Sequence, residues 1–104
     1  MSVAQVFEKL EQNFNADAAA GLDLVFQFDI EDAGTYHLVI NDGTCKLVEG
    51  ANDDPSVTLI MNSDTLKGIV SGETDGMQAF MAGQLRAEGD MMLATKLGEL
   101  FSMG

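Results

Sequence analysis

Between residues 22 and 61 the chain alternates apolar and polar side chains in step with a β-strand. No other feature constrains the fold as much. Leu22, Leu24, Phe26, Phe28 and Ile30 alternate with Asp23, Val25, Gln27, Asp29 and Glu31. Successive strand residues point to opposite faces, so one face of such a strand is buried and the other mostly wet. Asp32-Ala33-Gly34 supplies a turn, and Tyr36, Leu38 and Ile40 continue the alternation on a second strand. Asp42-Gly43 signals a two-residue hairpin leading to a third strand over residues 45–48. Residues 50–55 read as an acidic loop stopped by Pro55, and Val57, Leu59 and Met61 mark a fourth strand. Three hairpin-like links in a row predict an antiparallel sheet with one apolar face.

Outside this block the period is helical. Val3, Val6, Phe7, Leu10 and Phe14 predict an amphipathic helix, with Ser2 and Gln5 as a capping box and Asn13 and Asn15 at its end. Residues 16–20 add a turn closed by Gly21. After Met61, Ser63 is expected to cap a short helix with Leu66, Ile69 and Val70 inward. Thr74 is expected to cap another with Met77, Phe80 and Met81 inward. Residues 84–88 alternate and predict an edge strand. Asp90 is the expected N-cap of a last helix over residues 91–101. This order predicts a single α+β domain over residues 1–104, with helices covering one face of the sheet.

The last helix is apolar on most of its sides. Only Thr95, Lys96 and Glu99 are polar, and Met92, Leu93, Leu97 and Leu100 wrap more than half its circumference. A surface helix shows one apolar stripe, so this one needs cover from protein, a partner or a ligand. Every methionine except Met1 lies at Met61 or beyond. Met is flexible and polarizable, and fits irregular space. Two readings suit these residues: ordinary core packing, or the lining of a cavity.

Composition excludes several classes. A chain 46% hydrophobic and 21% charged is not disordered. There is no apolar run long enough to span a membrane, and the start lacks the cationic and apolar regions of a signal peptide. The single Cys45 cannot form an internal disulfide, which fits a reducing cytoplasm. A formal net charge of −12 repels nucleic-acid phosphates. It also disfavours docking on anionic membranes, leaving at most transient membrane contact.

Catalytic and metal-binding chemistry find little support. In the hairpin register, Cys45 faces Ile40 and His37 faces Val48, which puts Cys45 and His37 on opposite sides of the sheet. Cys45 is expected to be an inert small hydrophobe, and His37 a wet or half-buried strand residue. The Cys and His ligands that zinc needs are absent. A calcium loop starting at Asp29 fails at its twelfth place, where Ile40 stands instead of Glu. No phosphate loop ends in Gly-Lys-Ser/Thr. The expectation is a protein that is not an enzyme and carries no cofactor.

The tail AFMAGQLRAEGDMMLATKLGELF, residues 79–101, resembles the closing pattern of the sterol carrier protein 2 (SCP-2) family of lipid-binding domains. The matching places hold Phe80, Met81, Gly83, Leu85, Gly89, Asp90, Ala94, Lys96 and Leu97. The phrase DPSVTLIMNSDTLKGIVSG, residues 54–72, is also similar, and the likeness covers nearly the whole chain. The resemblance implies a five-stranded, mostly antiparallel sheet covered by helices that enclose an apolar tunnel. It also implies non-enzymatic binding of acyl chains, sterols or other lipids. It favours cavity lining by Leu66, Ile69, Val70, Met77, Phe80, Met81, Met92, Leu93, Leu97 and Leu100.

Two features depart from the family. The chain is strongly acidic and ends Phe-Ser-Met-Gly, so a peroxisomal signal is unsupported and a cytoplasmic carrier is expected. A fatty acid, sterol, neutral lipid or isoprenoid suits such a surface better than polyanionic acyl-CoA. Lys67, Arg86 and Lys96 are the cations expected nearest the cavity. The alternative is a protein-interaction or scaffold module that docks through its last helix, as a monomer or weak homodimer, and presents lipid to an enzyme. A small enzyme acting on bound lipid is the remaining class, and no base stands near a nucleophile to support it.

Overall fold

The computed structural model describes residues 3–90, 92, 93 and 100. Eight elements follow in order: α1 (Val3–Gln12), β1 (Asp23–Ile30), β2 (Gly34–Asn41), β3 (Thr44–Glu49), β4 (Val57–Met61), α2 (Ser63–Ser71), α3 (Gly76–Met81) and β5 (Arg86–Gly89). The expected capping residue Ser2 and most of the expected last helix, Leu97 included, lie outside the described residues.

The β1–β2–β3 meander forms in the register the hairpin signal predicts. Ile40 pairs with Cys45 and His37 with Val48. Asp42 and Gly43 both take positive φ, 43° and 84°, as a tight hairpin turn between right-twisted strands requires. The turn after α1 docks here. The Gly21 N–H donates to the Asp42 carboxylate at 2.9 Å, and Ala19 is fully buried.

The third link differs from expectation. β4 does not extend the meander beside β3. It lies on the far side of β1, parallel to it, with Phe26 opposite Val57 and Ile30 opposite Met61. The sheet order is β3-β2-β1-β4-β5, and β5 closes it antiparallel to β4. The sheet is therefore mixed, with one parallel pairing. The connecting segment crosses the sheet instead of turning back. Its Gly50 carbonyl meets His37 Nδ1 at 2.8 Å, and its Asn52 N–H donates to the Gln27 side chain at 2.8 Å. Ser56 then locks onto Val25, donating its N–H to the Val25 carbonyl and accepting the Val25 N–H at its hydroxyl. This crossing covers His37, which is 7% exposed and so more buried than the wet or half-buried strand residue expected.

The two faces of the sheet differ. The inner face carries Phe26, Phe28, Ile30, Leu38, Ile40, Val57, Leu59 and Met61, all buried. α1 seals it with Val6, Phe7 and Leu10. The Phe7 ring meets Phe28 edge-on at 5.2 Å and lies 5.0 Å from Tyr36. α2 adds Leu66, Ile69 and Val70 to the same core. Leu100 joins this core: it is buried, and its carbonyl accepts the Asn15 N–H at 2.6 Å.

Relative to the sequence expectation, α2 starts one residue earlier and α3 one residue later. Asn62, not Ser63, caps α2 by accepting the Thr65 N–H at 2.8 Å. Ser63 is engaged by Asp32 instead. Asp75, not Thr74, caps α3 by accepting the Met77 N–H at 3.1 Å.

Candidate functional site

Helical spacing places Met77, Phe80 and Met81 on one face of α3, and the expectation was that this face turns inward. It turns outward: the three are 56%, 41% and 80% exposed. The buried residue of α3 is Ala79. The chain folds back at Ala79, whose carbonyl accepts the N–H groups of both Gln84 and Leu85 as it turns toward β5. With Ala79 turned to the body, helical spacing puts Met77 and Met81 on the opposite side and Phe80 on the flank.

The candidate lining residues thus fall into two sets. Leu66, Ile69, Val70 and Leu100 are buried in the core, and Leu93 packs half-buried against it. Met77, Phe80, Met81 and Met92 stand in solvent. Leu97 lies outside the described residues. Asp90 accepts the Met92 N–H at 3.0 Å, which matches its expected capping role where the last helix begins.

Lys67 and Arg86 do not face the inner apolar layer. Lys67 lies with Asp64, Gly68, Ser71, Glu73 and Thr74 along an open groove of about 410 Å³ on the flank of α2. Gly68 permits this groove. A Cβ there would come within 2.5 Å of the Thr74 hydroxyl oxygen, and the Gly68 carbonyl accepts the Thr74 N–H at 3.0 Å. Arg86 pairs with Ile60 on the sheet face opposite Leu59 and Ala87. Lys96 is outside the described residues. Among the described residues, every buried side-chain nitrogen or oxygen has a partner.

Among the described residues, two side chains have protonation shifted from the ordinary value. Burial, helped by the charge of Glu11, pushes the Cys45 thiol up to about 12. A thiol so hard to ionise is a poor nucleophile. The hydroxyl and N–H of Ser63 hold Asp32 below the usual carboxylate value.

A sequence profile of the SCP-2 sterol transfer family matches residues 4–102. The chain is 29% identical over 104 residues to hydroxysteroid dehydrogenase-like protein 2 of Bos taurus, an alignment covering 97% of this chain and 25% of that protein. It therefore spans about a quarter of the length of that relative. The solution structure of palmitated SCP2L2 from Aedes aegypti superimposes with a TM-score of 0.77 at 24% identity, over 95% of this chain and 93% of that one. The stereoselective inverting sec-alkylsulfatase Pisa1 from Pseudomonas sp. contains a similar unit: TM-score 0.87, 22% identity, 97% of this chain and 16% of the enzyme. At these identities the two structures show a shared fold.

Proposed function

The chain belongs to the SCP-2 sterol transfer family, and on that footing we propose that it is a lipid carrier without catalysis of its own. It shelters the apolar body of one lipid between the inner face of the sheet and the helices over it. The observation that carries this reading is the split between two sets of apolar side chains. Leu66, Ile69, Val70 and Leu100 are packed against the sheet, while Met77, Phe80, Met81 and Met92 are left in water. Large exposed apolar side chains mark places where something apolar arrives, and Met adapts to varied shapes.

In this reading Leu66, Ile69, Val70, Leu93, Leu97 and Leu100 wall the tunnel, and Met77, Phe80, Met81 and Met92 form its mouth. The ligand is a fatty acid, sterol, isoprenoid or similar lipid, because a surface of net charge −12 disfavours polyanionic acyl-CoA. The dehydrogenase-like relative, four times as long, supports a role in presenting lipid to an enzyme. A cytoplasmic setting fits the single cysteine.

The test is titration of delipidated protein with a fluorescent fatty acid and a fluorescent sterol. Saturable binding of one lipid per chain is expected. Leu93→Trp, which fills space beside the core, weakens it by about tenfold. Absence of uptake for every lipid class overturns the reading.

A further inference from the structure

We propose that the outward face of α3 docks on an electrically neutral lipid surface, such as a zwitterionic bilayer, and that anionic membranes are disfavoured. The proposal deepens the lipid-carrier reading and rests on it for the purpose of the contact.

Three observations converge on α3. Its three large side chains, Met77, Phe80 and Met81, share one exposed face. The helix is held to the body through Ala79, so this face is available without disturbing the core. The run from Gly76 to Leu85 carries no charged side chain, and it is the longest such run in the chain.

Charge selects the occupant. The chain holds seventeen acids against five cations, so approach to an anionic surface is repelled over roughly a Debye length. An amphipathic helix that seeks anionic lipid carries Lys or Arg on its polar face, and α3 has none. A basic protein partner would be drawn to the acidic surface elsewhere, not to an uncharged apolar tip. A neutral lipid surface imposes neither repulsion nor competing attraction, and it accepts Met and Phe side chains at its boundary.

The experiment is flotation of the full chain with phosphatidylcholine vesicles, and with vesicles in which part of that lipid is replaced by phosphatidylglycerol, at low and high salt. Binding to pure phosphatidylcholine is expected. Weaker binding to the mixed vesicles at low salt is expected, with salt narrowing the gap. Met81→Asp lowers the partition into phosphatidylcholine by about tenfold. Ala4→Asp, which adds the same charge at an exposed position of α1, leaves it unchanged. The proposal is overturned by absence of binding to phosphatidylcholine, by preference for the anionic vesicles, or by Met81→Asp binding as the parent does. A homodimer that Met81→Asp dissociates also overturns it, since a second copy then occupies the face. Uptake of a fluorescent fatty acid from vesicle-free solution is read on the same unmutated protein. Uptake without vesicle binding ends the docking proposal alone, and vesicle binding without uptake ends the carrier reading alone.

Discussion

Asp32 clamps the first turn of α2 through Ser63. One carboxylate oxygen accepts the Ser63 N–H at 2.7 Å and the other accepts its hydroxyl at 2.6 Å. The contact ties the β1–β2 turn to the helix that leaves β4, across the one parallel pairing of the sheet. Both bonds favour the ionised carboxylate, the hydroxyl most, and hold Asp32 below its ordinary value of 3.8. Its folded value is depressed, so the stabilisation is fully present above 3.8 and fades as pH falls through the lower folded value. Asp32→Asn is expected to lower Tm near neutral pH, with the gap to the parent closing in strong acid. Thermal melts across that range check it.

Cys45 is expected to resist alkylation. Raising the thiol from 9.0 to about 12 lowers its thiolate fraction at pH 8 by roughly a thousandfold. Iodoacetamide should label the native protein far more slowly than the urea-unfolded chain, as read by mass spectrometry.

Phe28 and Met81 should separate stability from surface function. Phe28 is buried and in edge-on contact with Phe7, so Phe28→Ala costs about 3–5 kcal/mol of stability. Met81 is 80% exposed, so Met81→Ala changes stability by less than about 0.5 kcal/mol. Urea unfolding of the two variants beside the parent checks both values.

Gly89 and Gly50 test the packing of the edge strand. Both take positive φ, 102° and 98°. A Cβ at Gly89 would sit 3.0 Å from the Ser56 carbonyl oxygen and 3.3 Å from the Val57 Cα, whereas one at Gly50 meets nothing within 4 Å. Gly50→Ala should cost only backbone strain, about 1 kcal/mol. Gly89→Ala should cost more, because β5 must also move away from β4. Faster amide exchange across β5 in Gly89→Ala alone is the accompanying sign.

Local chemistry made much of the fold legible. Asp42-Gly43 fixed the hairpin, and from it followed the pairing of Ile40 with Cys45 and of His37 with Val48. The alternation of Phe26, Phe28 and Ile30 marked the buried face. The neighbour of β4 was not legible, because alternation reports which face a residue takes and not which strand lies beside it. Residues 50–55 look like a turn, but their partners are His37 and Gln27, remote in sequence. The cap of α2 shifted from Ser63 to Asn62 for the same kind of reason, since Asp32 takes Ser63.

The candidate site was legible in composition more than in direction. The spacing of Met77, Phe80 and Met81 identified one helical face, but periodicity alone does not say whether such a face meets a core or water. Here Ala79 is the buried position of α3, and the three larger residues take the exposed sides. Leu66, Ile69 and Val70 lie inward as their spacing implied. For Lys67 and Arg86, nearness in sequence suggested nearness to the apolar layer, and their helix and strand positions turn them elsewhere.

The most direct measurement is native mass spectrometry of the purified protein, followed by organic extraction and identification of whatever lipid is released. The carrier account predicts one co-purified acyl chain, sterol or isoprenoid per chain. A protein that carries none, and takes up none when lipids are added, contradicts it.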